Sequence, residues 1–226
     1  MLDDAASVEL LHAVAALAPR AALMRSIPGT AAHALALAAG ATVFERIPAA
    51  RIDPAHPEVR RWIDQHAEPS RAASDYSMTA LVDLWVQCYV SSHQHFGLVA
   101  DLDLLRSKLG HFVEKNVDAN LTRVVEMDGR PIAAACVFRV GGALMGLVDA
   151  LHTDDPAARL HVATAMAAML RSVPAEPIEL DGHASGAHYP AVLATIPHVT
   201  AGDLTPMELL RLEPCPTETS GATVQP

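Results

Sequence analysis

The sequence predicts an α+β fold, an α/β sandwich in which a mixed, mostly antiparallel sheet is flanked by helices. Three observations predict it. Residues 77–212 read as helix, helix, three strands, helix, strand, helix and one or two closing strands, an order that packs helices against a sheet. Two turn signals, Asp128-Gly129 and Gly141-Gly142, separate apolar runs and mark antiparallel hairpins. The 226 residues are 51% hydrophobic but only 4% aromatic. Much of the apolar content is alanine, so the core is built from closely packed helices and small side chains.

The elements follow in order. Ala5–Leu17 places Val8, Leu11, Val14, Ala15 and Leu17 at helical spacing and ends at Pro19. Ala21–Ile27 is a short apolar strand. Pro28-Gly29 turns the chain, Thr30 caps a helix over Ala31–Ala39, and Gly40 sits where a helix end takes left-handed backbone. Ala41–Ile52 reads as a strand or hairpin interrupted at Pro48. Residues 54–76 hold three prolines and a polar, serine-containing end and are expected to be a linker, with a helical turn or two at Val59–His66 anchored by Trp62. Ser77–Ser92 is amphipathic, with Leu81, Leu84, Trp85, Cys88 and Tyr89 on one face. Asp101–Glu114 is a second such helix. Strands at Arg123–Met127, Ile132–Val140 and Ala143–Ala150 lead through Leu151–Arg159 into a helix at Leu160–Arg171. Ile178-Glu-Leu is a short strand, Ser185–Ala194 a helix, and Val199 and Met207–Leu212 are closing strands. Residues 214–226 have the composition of a disordered tail.

Charge and cysteine usage narrow the function classes. The net charge is −10 and no basic run occurs, so nucleic-acid binding has no electrostatic source. No apolar run approaches the length of a membrane span. Cys88, Cys136 and Cys215 lack ligand spacing, and the start has no signal-peptide pattern. A reducing, cytoplasmic setting is expected. The twelve histidines raise a metal reading, strongest at His93 and His95. Two residues apart they face different sides of a helix, and no zinc motif accompanies them. No metal is expected. Nothing indicates the oligomeric state, and a homodimer is left open.

Four pieces of this sequence carry a family resemblance: the helix pair at 77–115, the hairpin from Val124 to Arg139, Asp155-Pro156-Ala157-Ala158-Arg159, and Ile178-Glu-Leu followed by Ala187-His188-Tyr189. Together they resemble the GNAT-type N-acyltransferases. Asp155–Arg159 is similar to the Pro-x-x-Arg that opens that family's acyl-CoA motif. Residues 77–213 are then a GNAT-like domain. Residues 1–53 are a shorter echo of the closing half of the same fold, in a tandem arrangement with a truncated first unit, or else an N-terminal extension.

The resemblance implies acetyl-CoA or another acyl-CoA as co-substrate and a small amine or a protein amine as acceptor. Pyrophosphate binding uses backbone N–H groups at a helix start, implicating Leu151, Arg159, Leu160, His161, Val162, Ala163 and Thr164. The family writes Arg-Gly-x-Gly-x-Gly or Ala there. This chain has Leu160 and Val162 in place of glycines, so a non-catalytic GNAT-like binding or assembly domain is the rival function. A small-molecule binding protein with a histidine-lined pocket is a further one.

Acyl transfer to an amine needs a base, a carbonyl-polarising donor and an acid for the thiolate. Asp149 or His152 is the candidate base. Taken singly, Asp149 also reads as a turn cap and His152 as a surface histidine. Tyr189 is the candidate acid, or a tyrosine packed on the sheet. His93 and His95, near the end of the first helix of the pair, are candidate acceptor contacts.

Overall fold

A computed structural model describes residues 4–17, 21–93, 101–174, 176–202 and 204–214. Along the chain the elements are α1 (Asp4–Leu17), β1 (Ala22–Ser26), α2 (Ala31–Ala38), β2 (Thr42–Ile47), β3 (Ala50–Ile52) and α3 (Pro57–His66). A two-residue strand β4 (Arg71–Ala72) precedes α4 (Met78–His93) and α5 (Leu102–Asn116). Then come β5 (Arg123–Met127), β6 (Arg130–Val140), β7 (Ala143–Ala150), α6 (Ala158–Ser172), β8 (Ile178–Leu180), α7 (Tyr189–Leu193) and β9 (Met207–Leu212). The chain divides into two units, residues 1–47 with 205–226, and residues 48–204. Among the described residues no helix is long and apolar enough to cross a membrane.

The smaller unit holds α1, β1, α2 and β2 and is completed by β9 from the far end of the chain. Its sheet order is β1-β9-β2, with β9 antiparallel to both neighbours. Thr30 caps α2 by accepting from the His33 N–H, and Gly40 takes φ +83° just past the helix end, as the sequence indicates. Ala36, Ala41 and Leu210 form the core, with Met24 and Leu212 packed on it. Glu208 of β9 holds His33 of α2 at 3.0 Å and Arg46 of β2 at 3.2 Å.

The larger unit is built on a sheet of order β3-β8-β7-β6-β5-β4. All pairings are antiparallel except β7 with β8. The two hairpin turns form where expected, with φ > 0 at Asp128, Gly129, Gly141 and Gly142, as tight turns require. Strand alternation divides the core between two faces. Val125, Ala133, Ala135, Val137, Val148 and Ala150 pack with α3, α6 and α7. Val124, Ala134, Cys136 and Phe138 pack with α4 and α5. On that face Phe138 meets Trp85 edge-on at 5.1 Å and Phe112 at 4.9 Å.

The domain boundaries differ from the sequence expectation. The segment 54–76 is no linker: Pro57 starts the ten-residue helix α3, and Val59, Trp62 and Ile63 are buried in the core. Proline at the first helical position is preorganised for a helix rather than a break. Residues 41–52 do not fold as a hairpin, because β2 pairs with β9 and β3 with β8. The larger unit therefore begins at residue 48 and ends at 204, and Met207–Leu212 closes the other sheet. Val199 lies outside the strands; its neighbour Thr200 makes an isolated bridge with Arg51. The expected tail lies almost wholly outside the described residues.

Candidate functional site

The site begins where two parallel strands part. β7 and β8 pair only at Met145 with Glu179 and Gly146 with Leu180, followed by a 3.0 Å bond from the Asp181 N–H to the Gly146 carbonyl. Beyond it β7 runs on to Ala150 along β6 alone. N–H and C=O groups alternate between the two edges of a strand. Gly146 faces β8, so Val148 faces the same way, into the gap, and no backbone partner for its N–H occurs among the described residues. Gly146 is required at the fork. A Cβ there would lie 3.0 Å from Met169 Sδ and from Leu180 Cδ2, so its absence lets α6 and β8 close on β7.

On the face covered by α4 the fork collects polar side chains. Asp149 accepts a 2.9 Å bond from the Ala150 N–H and is hydrogen-bonded by Ser92. Burial pushes its carboxyl up to about 6; the bonds from Ala150 and Ser92 and the nearby His188 pull the other way and do not offset it. The Ser92 hydroxyl lies 2.9 Å from His93 Nδ1, which donates to the Tyr89 carbonyl at 2.8 Å. Tyr89 stacks on the His93 ring at 3.9 Å, and the His183 ring meets it edge-on at 4.9 Å. His188 Nε2 donates to the Thr153 carbonyl at 2.8 Å. Cys88 and Cys136 lie beneath, buried, with burial raising both thiols. They are core residues, as expected.

The predicted residues divide sharply. Asp149 and His93 belong to this group, joined through Ser92. His152 is exposed. His95 lies outside the described residues. Tyr189 packs with the core on the α6 face of the sheet. Its ring covers Gly182, where a Cβ would fall 2.3 Å from Tyr189 Cε1. Burial first and Asp181 second raise its phenol, and its hydroxyl has no hydrogen-bond partner among the described residues.

The start of α6 is the other end of the gap, and here the expected phosphate contacts need correction. Val162, Ala163 and Thr164 are buried, and from His161 onward the amides are inside the helical ladder. They cannot reach a ligand at the helix start. Leu151 is also committed, with its side chain in the core and its N–H bonded to Ile132. Arg159 and Leu160 are exposed, and the Arg159 guanidinium reaches the Ala191 carbonyl at 3.3 Å. Asp155 closes the turn that leads into α6. Its carboxylate accepts from the Ala157 N–H at 2.8 Å, its carbonyl from the Ala158 N–H at 2.9 Å, and it lies 3.9 Å from His161 Nδ1.

Sequence reasoning missed Ser92, Val148 and the turn that Asp155 closes ahead of α6. Ser92 carries no motif, Val148 acts through backbone alone, and Asp155 was read only as part of the Pro-x-x-Arg segment.

No family model matches the sequence, and no curated protein matches it. Solved structures do match. An acetyltransferase of the GNAT family from Colwellia psychrerythraea superposes with a TM-score of 0.50 at 11% identity, covering 92% of this chain and 72% of that one. A tandem GNAT protein from the clavulanic acid biosynthesis pathway, without AcCoA, gives a TM-score of 0.46 at 12% identity, covering 93% and 68%. At such identity the likeness is one of fold. The chain has a GNAT-like α+β architecture.

Proposed function

We propose that this chain is an acyl-CoA-dependent N-acyltransferase acting on a small amine or a protein amine, with acetyl the simplest acyl group. The observation that carries the reading is Asp149, a carboxyl raised to about 6 at the fork of β7 and β8. A carboxylate poised there is a competent general base near neutral pH. With Ser92 and His93 beside it, it forms a polar group suited to an ammonium.

The acyl-CoA would supply the acyl group as a thioester. The fork fits its reactive end, because the Val148 N–H is a fixed donor facing the gap and can polarise a carbonyl. In the proposed division of labour Asp149 takes the ammonium proton, Val148 holds the carbonyl oxygen and Tyr189 keeps a proton for the departing sulfur. Asp149 serves one face of the sheet and Tyr189 the other, with the gap between them. The phosphate end would rest on the Arg159 and Leu160 amides, beside the turn that Asp155 closes.

We also infer a tandem origin. The first unit runs α1-β1-α2-β2 with β9 inserted antiparallel between its two strands. The second ends α6-β8-α7-Thr200, with β3 antiparallel to β8 on one side and bridged to Thr200 on the other. The repeated order supports two copies of one half-fold that have exchanged their last strands.

Asp155 favours a second reading, a GNAT-like domain that no longer binds acyl-CoA, because a fixed carboxylate at the helix start repels pyrophosphate. Calorimetry with acetyl-CoA and a medium-chain acyl-CoA separates the two. Saturable binding, followed by amine-dependent thiol release that Asp149→Asn abolishes, supports the enzyme. No heat with either ligand at millimolar concentration leaves the binding domain.

A further inference from the structure

The first turn of α3 and the loop after α7 bring together His56, Glu58 and His198, outside the Asp149 group. One potential ligand atom from each lies within 4.8 Å of the others. The His198 imidazole bonds to the Glu58 carboxylate, and the His56 and His198 rings lie 3.8 Å apart between centroids. His198 holds this place with φ +57°, a left-handed conformation that costs a side-chain-bearing residue on the order of 1 kcal/mol.

The loop is fixed on both sides of His198. The Trp62 indole N–H donates to Thr195 Oγ1 at 3.1 Å. Thr200 exchanges backbone bonds with Arg51 of β3 at 2.7 and 3.1 Å. Gly202 lies so close to Arg51 that a Cβ would meet its Cδ at 2.9 Å. The loop therefore presents His198 to α3 from a preset position, and the side-chain entropy a ligand site must otherwise lose is already reduced.

We propose that His56, Glu58 and His198 form a binding site for a divalent transition-metal cation of the Zn2+ class. Two imidazoles and one carboxylate are a donor set for that class, with remaining positions for water. A simple ion pair accounts for one histidine only. The two rings are tilted against each other, with the Glu58 carboxylate beside them. A tetrahedral ion with bonds of about 2.0–2.1 Å sets its ligands roughly 3.4 Å apart. Glu58 and His198 are half exposed, at 47% and 50% of their side chains, so small rotations close that difference. His56 Nδ1 accepts only a long 3.3 Å bond from the Glu58 N–H, and cation uptake would replace it together with the His198–Glu58 bond. The bound ion would clasp the 195–202 loop to α3 and thereby hold β3 at the sheet edge.

Titration of the full chain with ZnCl2 tests this by calorimetry and thermal denaturation, with Co2+ as a spectroscopic probe. One-to-one binding that raises the melting temperature is expected, with a tetrahedral-type visible spectrum for Co2+. His198→Asn preserves left-handed backbone, and it and Glu58→Gln should each weaken Zn2+ binding at least about tenfold. His93→Ala should leave it unchanged. Wild-type chain that gains no stability from Zn2+, or His198→Asn and Glu58→Gln variants that bind it as before, would overturn the site. Circular dichroism of each variant separates lost binding from lost folding.

Discussion

Asp149 and Asp155 make the same local bond in opposite settings. Each accepts from a backbone N–H just downstream, Ala150 at 2.9 Å and Ala157 at 2.8 Å. Asp149 lies at the fork beside the buried thiols of Cys88 and Cys136, where apolar surroundings penalise its charge. Asp155 lies at the positive end of α6, where the helix dipole favours a carboxylate. One aspartate is a buried carboxyl pushed up toward neutral pH; the other closes a turn ahead of a helix. The residue type and the local bond are shared, so the environment alone separates the two.

The largest expected effect follows from removing the penalised charge. Asp149→Asn should lower turnover by about 10²–10⁴-fold, the usual scale for a general base. The same change should stabilise the fold. Because the folded carboxyl is raised from 3.8 to about 6, its contribution to stability is highest in acid and falls as pH rises through that window. The penalty at neutral pH is roughly 3 kcal/mol. Urea denaturation should show the variant more stable than wild type at pH 8, with the gain gone near pH 4. Equal stability at pH 8 would erase the distinction between the two aspartates.

Gly146 sets the fork that makes the first environment. Gly146→Ala should cost about 1–3 kcal/mol, because the new methyl meets Met169, Leu180 and Ile178 at 3.0–3.2 Å. A neutral result in chemical denaturation would show that α6 yields easily there. Tyr189→Phe removes a buried hydroxyl that has no partner. Turnover should fall about tenfold, while stability stays within about 1 kcal/mol of wild type. Steady-state kinetics on the amine reaction decide this; unchanged kcat would take Tyr189 out of the chemistry. The smallest effect belongs to Asp155. Asp155→Asn keeps an acceptor for Ala157 and removes the like charge, so acetyl-CoA should bind about 2–5-fold tighter by calorimetry. Weaker binding would mean that Asp155 assists the ligand.

Much of the fold was legible because its signals are local. Thr30 and Gly40 bracket α2, Asp101 caps α5, and the glycine turns fix the β5-β6-β7 meander. The candidate base was legible too, since Asp149 ends a strand beside a helix start. The role of Asp155 was hidden because the same residues served as a motif resemblance. The spacing that suggested phosphate contacts at Val162–Thr164 took no account of the helical ladder, which already holds the amides from His161 onward, or of α6 being buried on every side from Val162 to Leu170.

The sequence by itself determined the class of fold, the positions of its turns and caps, and the presence of a carboxylate at the end of β7. These depend on backbone preferences and on apolar periodicity, which act over a few residues. The tertiary structure alone decided which strands pair. β2 and β3 are separated only by Pro48 and Ala49, yet they join different sheets, one completed by β9 and the other by β8. It also decided that Asp149 meets Ser92 and His188 under α4, and that His56, Glu58 and His198 converge. Contacts between residues far apart in the chain are set by packing and by solvent exclusion, and no local pattern encodes them.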